Sequence, residues 1–325
     1  MARAEAPPTG WLPLAHNLMV NGTPSMSYAR TVALTSLSMM AFAGNSLLCR
    51  VALRHTNIDA ASFTTIRLIS GALMLWLIVR LRHGVRDGRG NWLSATALFI
   101  YAAGFSFAYV SLPAATGALL LFGAVQATMI GYGVWTGERL RRFQSAGLVL
   151  AFGGLVGLLL PGITAPPLYG CLLMLGAGVA WGMYSLRGKG AGDPTVVTAG
   201  NFMRAVPFAV ALSISGYSSS SLDDLGFWCA ITSGALASGI GYTLWYTALP
   251  ALKAINAATV QLCVPVLAAL GGIAFLREPI TLRLAFCSTA ILGGIAMVIL
   301  EKRRAESPSV DRSKQPHSAP SEPMR

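Results

Sequence analysis

Tyr242-Thr-Leu-Trp-Tyr-Thr-Ala-Leu-Pro-Ala251 decides how this chain is read. Its last six residues, Tyr246-Thr-Ala-Leu-Pro-Ala251, echo Tyr109-Val-Ser-Leu-Pro-Ala114, which lies 137 positions earlier. The same separation relates Gly104 to Gly241, Arg67 to Arg204, Ala43 to Ala180 and Arg50 to Arg187. Farther along it becomes 140, matching Glu138 to Glu278 and Gly153-Gly154 to Gly293-Gly294. One unit is written twice, with three residues added in the second copy.

The unit is apolar. Of 325 residues, 54% are hydrophobic and only 11% charged, with a mean hydropathy of +0.60. A soluble domain carries about 25% charged residues, so this chain could not cover its surface with polar groups, and lipid is the expected solvent. A spanning helix needs roughly 20 mostly apolar residues. Ten stretches qualify: 31–49, 61–80, 92–110, 115–136, 143–161, 168–186, 195–214, 226–248, 254–275 and 281–300. Long unbroken runs do not fit the short alternating strands of a barrel. The fold class is therefore an all-α membrane protein of ten transmembrane helices. Five spans per copy is odd, so the second copy enters the bilayer from the opposite side, and the halves form two inverted five-helix repeats.

The domain bounds follow. Residues 1–30 read as a flexible cytoplasmic leader. Its apolar piece, Trp11–Val20, is short, is broken by Pro13, His16 and Asn17, and lacks the basic start and cleavage site of a signal peptide. Residues 31–163 form the first repeat and 164–300 the second. Residues 301–325, rich in Ser, Pro and charge, cannot bury enough apolar area to offset their ordering entropy and read as a disordered cytoplasmic tail.

Lys and Arg set the orientation. With the N-terminus inside, the inner segments hold Arg80, Arg82, Arg86, Arg89, Arg139, Arg141, Arg142, Arg187, Lys189, Lys253, Lys302, Arg303 and Arg304. The outer segments hold only Arg50, Arg54, Arg277 and Arg283, with the acidic pair Asp223-Asp224. Both termini are expected in the cytoplasm, with the chain a multi-pass protein of the inner (cell) membrane. The net charge of +12 is mostly this bias. No basic patch interleaved with aromatics, as a nucleic-acid surface would need, is present, so no nucleic-acid partner is expected. The five cysteines, Cys49, Cys171, Cys229, Cys263 and Cys287, sit in or beside apolar runs without a C-x-x-C pair and read as small buried hydrophobes.

Three motifs carry a family resemblance: Gly137-Glu138-Arg139-Leu140 after the fourth span, Arg277-Glu278-Pro279 after the ninth, and Ser-Gly-x-x-x-Ser-Gly-x-x-Tyr at 233–242. With the duplication, they make residues 31 to 300 resemble the EamA-like transporters of the drug/metabolite transporter superfamily. The resemblance implies a ten-helix carrier whose central cavity is formed by helices one to four and six to nine, with the fifth and tenth at the rim. It also implies varied small-molecule substrates. One departure is visible. The family pattern has a Pro about thirteen residues before each Glu; here the second copy has Pro265 and the first has Val125.

Every Asp, Glu and His lies outside the middle of the spans. A membrane-embedded proton relay normally uses those residues, and hydrolysis by paired carboxylates or a ligated metal needs them too. An enzyme is therefore disfavoured, no cofactor or metal is expected, and transport reads as facilitated diffusion or exchange. Two charges do enter the spans, Arg67 and Arg204. At mid-helix each costs about 2.5–3.5 kcal/mol on insertion scales. They read either as carboxylate anchors, one near each face, or as caps on neighbouring carbonyls.

Aromatics supply the rest of the candidate site. Tyr101, Phe105 and Tyr109 recur every four residues on one helix face, Trp181 and Tyr184 share another, and Tyr242, Trp245 and Tyr246 repeat the habit. They read either as an aromatic-lined pocket, oriented by polar groups such as Asn45, Gln126, Asn201, Asn256 and Gln261, or as ordinary packing with interfacial belts. Gly153, Gly154 and Gly157 imply close helix contact within the chain, or between two copies, leaving a monomer or a homodimer. Gly234, Gly239 and Gly241 would let the eighth span bend. The sequence reads as a secondary carrier exporting a small organic metabolite, with amino acids foremost. A passive channel and, more remotely, a membrane enzyme are the alternatives.

Overall fold

The computed structural model describes residues 26–82, 88–137, 139–160, 162, 165–188, 192–216, 221–252 and 260–306, with side chains through Glu301. Among the described residues 26–306 there is no strand, only one isolated antiparallel bridge, Gly88 with Gly192. The helices are α1 Tyr28–His55, α2 Ala60–Leu81, α3 Trp92–Tyr109, α4 Ala114–Trp135, α5 Arg142–Leu159, α6 Leu168–Arg187 and α7 Pro194–Ser215. Next come α8 Asp224–Thr232, a π-helical segment Ser233–Ile240, α9 Gly241–Ala248, α10 Cys263–Leu276 and α11 Leu282–Glu306.

Eight helices are long and apolar enough to cross a membrane. Of the other two expected spans, 226–248 is helical throughout but changes from α to π over Ser233–Ile240, and 254–275 is described only from Val260 onward. α1 overruns its expected span at both ends, which brings Arg50, read as a loop residue, into the helix. Starts are fixed by local chemistry. Asp59 Oδ1 accepts from the N–H groups of Ala61 and Ser62 at the head of α2, Asn91 Oδ1 from Ser94 N at the head of α3, and Asp193 with Pro194 opens α7. Such caps satisfy backbone donors that the helix leaves unpaired.

Contacts sort the helix ends into two layers. At one end, Arg50 of α1 meets Glu278, which follows α10, and the carbonyls of Tyr109 and Val110 after α3. Asp59 and Ser221 exchange two hydrogen bonds there, and Arg283 of α11 donates to the carbonyls of Gly157 and Leu160 at the end of α5. At the other end, Arg82 bonds Thr195 of α7 at 2.9 Å, Arg187 of α6 reaches Asn91 and Ser94, and Arg141 lies 3.6 Å from Glu301. With α8, the π-helical segment and α9 taken as one continuous run, successive spans thus run alternately up and down.

Pairing is close where residues are small. α2 runs antiparallel to α7, with Thr65 bonded to the Ala209 carbonyl at 2.8 Å and to Ser213 at 2.7 Å. α3 and α4 both pack on α6, α1 packs on the π-helical segment, α9 and α10, and α4 packs on α10. α5 and α11 pack chiefly on each other. A Cβ at Gly147 would sit 2.6 Å from the Gly294 carbonyl, and one at Gly154 2.9 Å from Ala290. The glycine face of α5 is therefore filled from within the chain. The outer surface exposes Leu73, Trp76, Phe152, Phe275 and Phe286, an apolar coat of the extent that marks contact with lipid or protein in a chain of this composition. All five cysteines are free and buried or half-buried.

Candidate functional site

Between the two halves of the chain lies a cavity of about 30 Å³. α1 presents Phe42, Asn45 and Ser46 to it, positions three and four apart that share a helix face. α3 adds Tyr101 and Phe105, again four apart, and α4 adds Leu121 and Phe122. From the second half come Trp181 of α6, Ala237 of the π-helical segment, Tyr242 of α9 and Gln261 ahead of α10.

The rings form a continuous cluster. Trp181 stands 4.8 Å from Tyr101 and 5.1 Å from Tyr242, centre to centre. Tyr101 lies 5.5 Å from Phe105, which meets Tyr109 edge-on at 4.7 Å, and Phe42 meets Tyr242 edge-on at 5.7 Å. Distances of 4.5–7 Å in tilted or edge-on arrangements are the favourable ones for aromatic pairs. The polar groups of the wall are few. Asn45 Oδ1 accepts from Ser233 Oγ at 2.6 Å, tying α1 to the start of the π-helical segment. A π-helical turn is rare, and often marks a functional position.

Arg67 stands behind this wall. It is 1% exposed. Its Cζ is 4.9 Å from the centre of the Phe105 ring and 5.3 Å from that of Tyr101, and its Nη2 donates to the Tyr101 hydroxyl at 3.1 Å. Its Nη1 has no hydrogen-bond partner. Among the described residues no carboxylate pairs with it; those ion pairs are Arg50–Glu278, Arg82–Asp193 and Arg141–Glu301, all at helix ends.

Six of the residues singled out from sequence thus meet at the cavity: Asn45, Tyr101, Phe105, Trp181, Tyr242 and Gln261. Tyr184 lies one layer out, stacked on Trp181 at 5.3 Å and held by Asn201 at 3.4 Å. Trp245 stands edge-on to Phe42 at 6.2 Å without lining the space. Gln126 is buried on α4 and does not line it. Arg204 is elsewhere: its Nη1 turns back onto the Gly200 carbonyl of its own helix at 2.9 Å. Asn256 and Glu138 lie outside the described residues. Sequence reasoning passed over Phe42, Ser46, Leu121, Phe122 and Ala237. The spacing of Phe42, Asn45 and Ser46 was the available signal for the first two; the others look like any core residue. No group of three or more His, Cys, Asp or Glu side chains able to hold a metal occurs among the described residues.

The model of the EamA-like transporter family matches residues 168–300. An uncharacterized protein of Pseudomonas aeruginosa is 57% identical over 271 residues, which is 83% of this chain and 94% of that protein. The chain belongs to the EamA-like transporter family. An uncharacterized transporter of Archaeoglobus fulgidus is 24% identical over 77% of this EamA-like chain and 90% of its own length. The threonine/homoserine exporter RhtA of Escherichia coli is 33% identical over 41% of this chain and 47% of that protein. A solved crystal structure shares the fold, with a TM-score of 0.60 at 19% identity over 86% of this chain and all of the other. This EamA-like protein is therefore a multi-pass membrane transporter with a small-molecule substrate.

Proposed function

We propose that this EamA-like transporter is a secondary carrier of the inner membrane that exports a small organic metabolite, amino acids foremost, by alternating access of two inverted five-helix repeats, 31–163 and 164–300. The observation that carries the reading is the position of the cavity, walled by α1, α3 and α4 of the first half and by α6, the π-helical segment and α9 of the second. Rocking one half against the other opens that space to either face. The inverted relation is supported by pairs that hold equivalent places in the two halves and run antiparallel: α2 with α7, α4 with α10, and α5 with α11.

At about 30 Å³ the cavity holds a water or two, whereas small-molecule sites occupy roughly 300–1,000 Å³. The space is too small for a solute as it stands, which fits a carrier between open states better than a standing pore. Amino acids are favoured by the name of the RhtA relative, an exporter of threonine and homoserine. The spans hold no mid-membrane Asp, Glu or His, so flux runs by facilitated diffusion or exchange. Arginines cluster at the helix-end layer where α1 starts, a bias that supports cytoplasmic placement of both termini. The protein works as a monomer or a homodimer, in contact with lipid, and without cofactor or nucleic acid.

Counterflow in proteoliposomes tests this. Preloaded L-threonine or L-homoserine should drive transient uphill uptake of labelled amino acid. A signal that only relaxes to equilibrium would mean a channel.

A further inference from the structure

Arg67 is a charge that the fold buries and leaves unfinished. A guanidinium carries five N–H donors in a planar fork. The rings of Phe105 and Tyr101 occupy its face by cation–π contact, and such contact leaves the N–H edge unused. Nη2 is engaged by the Tyr101 hydroxyl, but Nη1 is buried and unpartnered. Buried donors without partners are rare, because each keeps its full desolvation cost.

The duplication supplies an internal comparison. Arg204, the counterpart 137 positions later, satisfies its own Nη1 on the Gly200 carbonyl. An arginine serving only to cap carbonyls therefore finds them in this fold, and Arg67 does not use that solution. Two further buried polar atoms are unpartnered, Thr35 Oγ1 of α1 and Ser238 Oγ, the latter in the π-helical segment and next in sequence to the cavity-lining Ala237.

Resting on the carrier reading and deepening it, we propose that Arg67 is the anion receptor of the transport pathway, and that the solute carries a carboxylate on a small, partly apolar body. When the helices part, the free Nη1 edge takes one carboxylate oxygen. The Tyr101 hydroxyl accepts from Nη2 and so has its own proton to donate to the other oxygen. The solute's apolar part lies against Phe105 and Trp181. Charge-assisted bonds of this kind are the strong ones, and a fork matches a carboxylate in shape as well as charge.

The test uses the full-length protein, purified in detergent, and two matched pairs of probes: 3-phenylpropionate with 3-phenylpropionamide, and L-threonine with L-threoninamide. Thermal unfolding is followed against probe concentration. Each acid should raise Tm at a concentration about tenfold or more below that of its amide. Arg67→Gln should erase the difference within each pair, and Arg67→Lys, which keeps the charge but loses the fork, should retain part of it. The proposal is overturned if neither acid stabilises the wild type, if acid and amide act alike on it, or if Arg67→Gln keeps the preference. Where Arg67→Gln does not fold, the wild-type pairs and Arg67→Lys decide alone. Counterflow on the same preparation bears on the carrier reading separately: a carboxylate preference without counterflow keeps the anion site and removes the carrier.

Discussion

Arg50 and Glu278, 228 residues apart, meet at 2.9 Å with both side chains nearly buried. The pair is the hub of one end of the bundle. Arg50 Nη1 also holds the Tyr109 carbonyl at 3.0 Å, and Glu278 Oε2 accepts from Ala114 N at 2.8 Å, capping α4. Negative charge at a helix N-terminus is favourable. Three connections, those of α1, α3–α4 and α10–α11, are thus tied by one ion pair. Removing one partner leaves the other buried and unpaired, which costs about 3–5 kcal/mol. Glu278→Ala and Arg50→Ala should each lower Tm of the purified protein by several degrees. The double variant should lose less than the sum of the two, by about 0.5–3 kcal/mol of coupling. Additive losses would mean that the pair does not act as a unit.

The seam between α5 and α11 separates glycines that are needed from one that is not. A Cβ at Gly147 would meet the Gly294 carbonyl, and one at Gly294 would meet the Gly147 carbonyl, so backbone faces backbone. At Gly153 nothing lies within 4 Å. Gly294→Ala should destabilise by about 1–3 kcal/mol through forced separation. Gly153→Ala should be neutral or stabilise by about 0.5–1 kcal/mol through helix propensity. Thermal unfolding of the two variants side by side checks the contrast.

That contrast was half legible in the sequence. Gly153, Gly154 and Gly157, with Gly293-Gly294 in the second copy, announce a close seam, but only packing tells which of Gly153 and Gly154 faces it and adds Gly147 to it. The same limit applies to the cavity. The four-residue spacing of Tyr101 and Phe105 put both on one face, and the face turned out to meet Trp181 and Tyr242. The duplication made Arg67 and Arg204 look equivalent, and they are not, because side-chain direction depends on neighbours that differ between the halves. The π-helical segment had no periodic signature beyond a run of Ser, Gly and Ala. The Arg50–Glu278 pair was hidden in plain view: both residues belong to repeated positions, but contact across 228 residues is set by tertiary structure alone.

Asp59 gives a pH dependence outside the bilayer. Burial raises its carboxyl, but hydrogen bonds from Ser62, Ser221 and Ala61 outweigh this and hold it below the ordinary aspartate value. The charged form is thus favoured by folding. The contribution of the cap is complete above about pH 4, the unfolded value, and is lost as pH falls through the lowered folded value. Asp59→Asn should have a lower Tm than wild type at neutral pH, and the gap should close under acid. A gap that stays constant from neutral pH to about pH 3 would detach Asp59 from acid stability.

The π-helical segment is the element most exposed to a single methyl group. Gly234 lies against the backbone carbonyl of Arg67 and the Ser70 hydroxyl, so close that a Cβ there would overlap both. Ser70 itself donates to the Arg67 carbonyl at 3.2 Å. Gly234→Ala must therefore push the segment away from α2, shifting Ser233 from Asn45 on one side and Ala237 in the cavity wall on the other. Gly44, one residue from Asn45 on α1, has nothing within 4 Å of the place a methyl would take. Both variants should reach the membrane, because neither adds charge nor breaks a span. Gly234→Ala should lose most counterflow and unfold at lower temperature, and Gly44→Ala should match wild type in both. Full counterflow by Gly234→Ala would show that the path tolerates a displaced segment, and would remove the π-helical turn from the moving parts.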